Sequence, residues 1–179
     1  MSANSYWFPM RVTYNREMKV KEHFDNLGVE CFLPMRSNFE CTEGQTKEEL
    51  VPAIHNLLFV HSTQDELTKL KMYDKRFSAL RYMMKKEDGR FEIMTISDKE
   101  MDNFIRVASV SDNSIFYLDN KNESSYIGKR VRIKAGRFED VVGVIKRIKR
   151  NRHVVVRIEG VAAVAIAYIP FSYLEEVSD

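Results

Sequence analysis

The sequence predicts an α+β protein in two parts, a front part in which strands alternate with helices and a back part made of strands alone. Three observations carry this expectation. Apolar residues recur at helical spacing in three segments before residue 110. Residues 111–125 are rich in Asp, Asn and Ser, as a boundary is. Beyond them come only short β-rich segments separated by Gly, Asn or Pro.

Residues 6–13 carry Trp7, Phe8, Met10 and Val12 and read as a strand closed by Tyr14-Asn15. Val20, Phe24 and Leu27 follow at i, i+4 and i+7, one apolar stripe on a helix starting near Arg16, with Gly28 placed as its C-cap. Residues 29–34, with Val29, Cys31, Phe32 and Leu33, have strand length. Residues 36–47 are polar and aperiodic, which suits an exposed hairpin or a flexible excursion. Leu57, Leu58, Phe59 and Val60 within residues 56–61 read as a strand buried on both faces. Thr63 and Glu66 have capping-box spacing, with acids in the first turn ahead of Leu67, Leu70 and Tyr73, so a second helix is expected there. Residues 79–84 and 91–94 read as strands around the turn Asp88-Gly89. Ser97 and Glu100 repeat the capping signal before Met101, Phe104, Ile105 and Ala108, the third helix.

The polar stretch, interrupted by Ile115, Phe116, Tyr117 and Leu118, is read as a linker over residues 113–126 between domains at 1–112 and 127–179. In the second domain Val131, Ile133, Ile148 and the segments 141–145, 154–158, 161–169 and 173–177 argue a small barrel or sandwich. Ala162, Ala163, Ala165 and Ala167 favour helix, against the β preference of Val164, Ile166 and Tyr168; strand is the expectation.

A chain of 179 residues that is 44% hydrophobic, with 7 Gly and 4 Pro, has material for a packed core. No apolar run reaches the roughly 18 to 20 residues of a membrane span, and the first residues lack a signal-peptide pattern, so a cytoplasmic protein without membrane contact is expected. Cys31 and Cys41 fit neither a disulfide framework nor a zinc pair, and Cys31 reads as a small buried hydrophobe. From Gly128 onward there are 11 Lys and Arg against 6 Asp and Glu, leaving 17 against 20 in the first 127 residues. A basic second domain points to a polyanionic partner.

The four histidines, His23, His55, His61 and His153, are scattered, so no metal site is expected, and no phosphate loop, dinucleotide fingerprint or nucleophile elbow is present. Catalytic residues and cofactors are therefore not expected. Glu48-Glu49, Glu139-Asp140 and Glu175-Glu176 read as solvated surface. The basic residues say more. Lys146, Arg147, Lys149, Arg150 and Arg152 surround Asn151, and a turn there concentrates cations at one hairpin tip. Such a tip either neutralises phosphates or blunts a sheet edge against aggregation. On the first helix Arg16, Lys19, His23 and Asn26 share one stripe, which is either an ordinary polar face or a DNA-facing strip.

Trp7-Phe8-Pro9-Met10-Arg11-Val12, Val20-Lys21-Glu22-His23-Phe24 and Val29-Glu30-Cys31-Phe32-Leu33-Pro34-Met35 resemble the NGN domain of the NusG family, which includes RfaH. The run from Gly128 through Val131, Ile133, Gly136 and Phe138 to Gly143 is similar to the KOW motif, in which an apolar strand, a Gly-x-Phe turn and a second glycine build an SH3-like barrel. The order NGN, linker, KOW covers nearly the whole chain, and its pattern resembles the UpxY-type antiterminators of capsular polysaccharide operons. The resemblance thus implies an antiparallel sheet flanked by helices, followed by an SH3-like β-barrel.

It also implies a monomeric, non-enzymatic transcription elongation and antitermination factor. An apolar depression on the NGN domain seats on the clamp helices of the largest RNA polymerase subunit and disfavours the opened, paused state. By position that depression falls on Tyr14, Ile54, Leu57 and Phe59. Ile54-His55-Asn56-Leu57 stands where relatives have Phe-Pro-Gly-Tyr or Phe-Pro-Asn-Tyr, which replaces two aromatic anchors and a proline. The other reading is that Leu57 and Phe59 fill the core. In RfaH-like members the first helix reads the non-template DNA strand, a role that would fall to Arg16, Lys19, His23 and Asn26, joined by Arg76. Nascent RNA at the basic hairpin and a ribosomal protein at the KOW domain are the further partners implied. Glu159-Gly160-Val161 carries neither the aromatic nor the arginine that flank this glycine in general NusG proteins, which argues against Rho recruitment. Asp140 stands where a glycine is usual and must tolerate left-handed backbone. An RNA- or ribosome-binding KOW protein without a polymerase role is the alternative.

Overall fold

The computed structural model describes residues 4–42, 45–110, 114–118, 128–148, 151–167 and 169–177. The chain divides into two compact units, Met1–Arg36 with Leu50–Met101, and Ser37–Glu49 with Asp102–Asp179. Three helices and several antiparallel sheets make it a mixed α and β protein.

The first unit begins with β1 (Tyr6–Val12), α1 (Glu17–Leu27) and β2 (Cys31–Phe32). A hairpin of β3 (Met35–Thr42) and β4 (Gln45–Pro52) follows in the chain, its residues Ser37–Glu49 grouping with the second unit, where a polar excursion was one of two expectations. Then come β5 (Leu57–Ser62), α2 (Gln64–Tyr73), a 3-10 turn at Lys75–Phe77 and β6 (Leu80–Tyr82). The main sheet runs β2-β5-β1-β6, with β1 paired to β5 from Tyr6↔Ser62 to Arg11↔Leu57. Strand alternation sends Phe8, Met10, Val12, Leu58 and Val60 to one face, where they pack with Val20 and Phe24 of α1, Leu67 of α2 and Phe77. Gly28 closes α1 at φ 68°, its N–H donating to the Asp25 carbonyl. The Thr63 hydroxyl accepts the Glu66 N–H at 3.3 Å and caps α2.

Two strand expectations are corrected. Of residues 29–34 only Cys31–Phe32 pair, with β5, because Pro34 has no N–H to continue the ladder. The segment 79–84 stops at Tyr82, and the chain then forms a separate hairpin of β7 (Met84–Glu87) and β8 (Arg90–Ile93). Its turn, Asp88 at φ 46° and Gly89 at φ 81°, is the left-handed pair that two-residue hairpins need. Met83 still donates its N–H to the Pro9 carbonyl at 3.3 Å, but at Trp7 the edge of β1 is taken by Ile96, which exchanges both backbone hydrogen bonds with it, so Met84 has no place beside β1.

In the second unit a six-stranded antiparallel sheet has β14 (Leu174–Glu176) at one edge and β9 (Ile115–Leu118) at the other. Between them lie β10 (Arg130–Ile133), β11 (Val142–Ile148), β12 (Asn151–Ile158) and β13 (Ala162–Ala167), in that order. The Ala-rich segment is a strand. Pairing with β12 on one side and β9 on the other satisfies its backbone, which outweighs alanine's helix propensity. The apolar break in the polar stretch is β9, so a segment read as linker completes the sheet. The unit also takes the C-terminal part of α3 (Asp98–Ala108). There the Asn103 amide donates to the Val142 carbonyl at 2.7 Å and its oxygen accepts the Val142 N–H at 2.9 Å.

Backbone crowding explains two glycines. A Cβ on Gly128 would lie 1.9 Å from the Ile145 carbonyl oxygen, and one on Gly143 would lie 2.7 Å from both Val154 Cγ1 and the Val155 carbonyl oxygen. Gly136 (φ 88°) turns the chain toward Phe138, which is buried with Val131 and Ile133, and Asp140 adopts φ 65°.

Candidate functional site

Three turns meet at one end of the first unit's sheet. The Val12 N–H donates to the Asn56 carbonyl at 3.0 Å, and the Thr13 N–H donates to the Ala79 carbonyl at 3.1 Å. Glu17, in the first turn of α1 and only 2% exposed, accepts the Asn56 N–H at 2.5 Å. These bonds tie the β1–α1 turn, the 53–56 turn and the 78–79 turn together. Tyr14 (φ 65°), Asn15 (φ 51°) and Asn56 (φ 61°) all take left-handed backbone, which such tight corners need. Glu17 escaped the sequence reading because an acid in a first helical turn is an ordinary dipole partner.

This network presents Tyr14, 82% exposed, with the Arg16 guanidinium 5.6 Å from its ring centre. Ile54, in the 53–56 turn, is half-buried. Leu57 and Phe59, the other two residues assigned to the apolar depression, are 4% and 0% exposed. They alternate with Leu58 and Val60, so they occupy the opposite face of the sheet, with Phe32 and Phe59 6.4 Å apart between ring centres. Four consecutive buried residues match a strand covered on both faces. The structure therefore brings Tyr14 and Ile54 to accessible positions and leaves Leu57 and Phe59 inside.

Along α1, Arg16, Lys19 and Asn26 are exposed and His23 is half-buried, its ring edge-on to Phe77 at 6.1 Å. Arg76 immediately precedes Phe77, in the 3-10 turn whose Phe77 ring packs against Phe24 and His23 of α1. Asp74 grips Arg76: Oδ1 accepts its backbone N–H and its Nε–H, each at 3.0 Å, and Oδ2 accepts Nε–H at 3.0 Å and Nη2–H at 2.6 Å. The Arg76 hydrogen bonds hold the Asp74 carboxyl below the usual carboxylate range, and nearby His23 contributes in the same direction. Asp74 is a second residue that sequence reasoning missed. It orients the guanidinium while offsetting part of the strip's positive charge.

Cys31 is a half-buried thiol whose Sγ donates to the Asp25 carboxylate at 3.6 Å. Burial pushes it up to about 12, with the Asp25 carboxylate reinforcing the shift against nearby Lys21.

In the second unit, β11 and β12 pair as Lys146↔His153, Arg147↔Arg152 and Ile148↔Asn151, so the basic residues do gather at one hairpin. Lys149 and Arg150 lie outside the described residues. The Arg152 guanidinium stands 4.0 Å from the ring centre of Phe171. At the opposite end of β12, Glu159 pairs with Arg157 at 3.1 Å beside Gly160 (φ 67°), and Val161 is buried. Among the described residues, no group of three or more His, Cys, Asp or Glu side chains is placed to hold a metal ion, and no helix is long and apolar enough to cross a membrane.

A solved structure, "Domain interaction in Thermotoga maritima NusG", aligns with 98% of this chain and 98% of its own, at 19% identity and a TM-score of 0.47. No curated protein matches the chain. The family model described as transcription termination factor NusG matches residues 5–105, from β1 into α3. That span is more than half of the 179 residues and includes the strands and helices that build the Tyr14 corner, and the chain accordingly belongs to the NusG family of transcription factors.

Proposed function

We propose that this NusG-family factor is a specialised antiterminator of the RfaH and UpxY kind, serving a long operon such as one for capsular polysaccharide. Family membership supports a role in transcription elongation or termination and implies, in general, an interaction with RNA polymerase. The finer reading takes residues 1–112 as a polymerase-binding NGN domain, 113–126 as a connecting segment and 127–179 as a KOW barrel. The observation that carries it is the family match across β1 to α3, joined to an exposed Tyr14 at the corner where the β1–α1 turn is hydrogen-bonded to the 53–56 turn that carries Ile54.

A factor that binds the closed, elongating clamp more tightly than the opened, paused one shifts the population toward elongation without catalysing a reaction. Tyr14 and Ile54 form the accessible part of the contact with the clamp helices, and Leu57 and Phe59 support it from within β5. Arg16, Lys19, His23, Asn26 and Arg76 contact an exposed strand of DNA. Arg147, Lys149 and Arg150 contact phosphates from the KOW side. Glu159, held by Arg157, supports antitermination over Rho-dependent termination, because it puts a charge where an aromatic anchor would dock.

Transcription through a terminator, with and without the full-length protein, tests this. Tyr14→Ala and Ile54→Asp should lose most read-through and at least tenfold in polymerase affinity, about 1.4 kcal/mol, with unchanged folding. Undiminished polymerase retention by both variants sinks the docking assignment. No retention by the wild type favours an RNA- or ribosome-binding protein instead.

A further inference from the structure

The second unit contains a cavity of about 190 Å³ that none of the roles above uses. Ile145, Val154 and Leu174 supply apolar wall, His153 contributes an imidazole, and Arg152 and Phe171 stand at the lining. Its volume is far beyond one water molecule and leaves room for a planar heterocycle. His153 is held in place, with Nδ1 3.1 Å from the Asn151 carbonyl and its ring edge-on to Phe116 at 5.0 Å. Phe171 is 57% exposed, in the 3-10 turn Phe171–Tyr173 after Pro170, with the Arg152 guanidinium 4.0 Å from its ring centre. A phenyl left in water beneath a guanidinium is a flat, cationic stacking platform.

Charge identifies the kind of ligand. The same strand pair carries Lys146, Arg147 and Arg152, and from Gly128 onward the chain has 11 basic against 6 acidic residues. A partner that is both polyanionic and rich in flat rings is a nucleic acid, and only a single strand has its rings free to enter a cavity. We propose that this cavity takes an unpaired nucleobase of a single-stranded nucleic acid, stacked at the Arg152–Phe171 pair, while the β11–β12 hairpin holds the flanking phosphates. The inference rests on reading that hairpin as a nucleic-acid contact.

Fluorescence anisotropy of the full-length protein with short labelled single strands of RNA and DNA, and with an RNA duplex, across a salt series tests it. Phe171→Ala should weaken single-strand binding roughly tenfold with the salt slope unchanged, whereas Phe171→Tyr should bind like the wild type. Arg152→Ala should weaken binding and lower the salt slope by about one phosphate contact. Whichever strand type binds more tightly names the natural source. The proposal is overturned if Phe171→Ala binds as the wild type does, if the duplex binds as tightly as the single strands, or if no nucleic acid binds and a protein occupies the surface. Circular dichroism checks that the exposed Phe171 can be removed without unfolding. Polymerase retention by the same variants should be unchanged, so losing the base site and losing the polymerase contact are distinguishable.

Discussion

A side chain's absence matters at two glycines for different reasons. Gly28 has open space around a would-be Cβ, and only its φ of 68° resists substitution. Gly143 is enclosed by Val154 and the Val155 carbonyl, so a methyl group there must displace a neighbouring strand. Gly143→Ala should cost about 1–3 kcal/mol in urea unfolding, and Gly28→Ala about 1 kcal/mol. Equal costs would show that β12 yields freely. Cys31 gives a chemical readout of the same interior. With its thiol pushed up to about 12, only about one molecule in ten thousand is thiolate at pH 8. In a Cys41→Ser background, a disulfide reagent should therefore label native Cys31 orders of magnitude more slowly than the urea-unfolded chain. Because folding favours the neutral thiol, its contribution to stability is complete below the unfolded value near 9 and is lost as pH rises toward 12.

Among the elements, helices were the most legible in the sequence. The Thr63 cap, the Gly28 stop and the apolar stripe of α1 act within a few residues, so α1 and α2 lie where spacing puts them. Strand partners were less legible. Nothing local shows that Ile96 takes the edge of β1, or that Ile115–Leu118 pairs with β13, because both contacts join distant parts of the chain. Asn103 is a similar case. On α3 it reads as a solvated polar residue, yet its amide satisfies both backbone groups of Val142. Asn103→Ala should remove about 2 kcal/mol from the second unit by leaving both groups without that partner, detected as faster amide exchange at Val142. Exchange unchanged at Val142 would mean that water replaces the amide at no cost.

For the whole molecule, net charge is only +2, and local arrangement governs its interactions with anions. The α1 strip and Arg76 belong to the first unit, and the β11–β12 cations belong to the second. Replacing Lys19 or Arg76 with Ala should lower the salt slope for single-stranded DNA by about 0.7 each, and replacing both should be close to additive. A smaller effect at Arg76 than at Lys19 would measure how far Asp74 already neutralises it. The candidate site was legible in part. Tyr14 and the α1 strip follow from position and spacing, whereas Glu17 and Asp74, which hold them, are acids of common type whose partners arrive only through folding.

By itself the sequence determined where helices start and stop, most strand segments though not all their bounds, the left-handed backbone at Asp140 and the gathering of cations near Asn151. Each depends on forces between residues close in the chain: caps, φ restrictions, side-chain periodicity and charge density. Tertiary structure alone decided that Glu17 is buried against the Asn56 N–H, that an apolar stretch in the boundary region becomes the outer strand β9, and that Arg152 covers Phe171 beside a cavity. These outcomes depend on which distant backbone edge or apolar face claims a segment first, a competition between burial and hydrogen bonding that no local window contains.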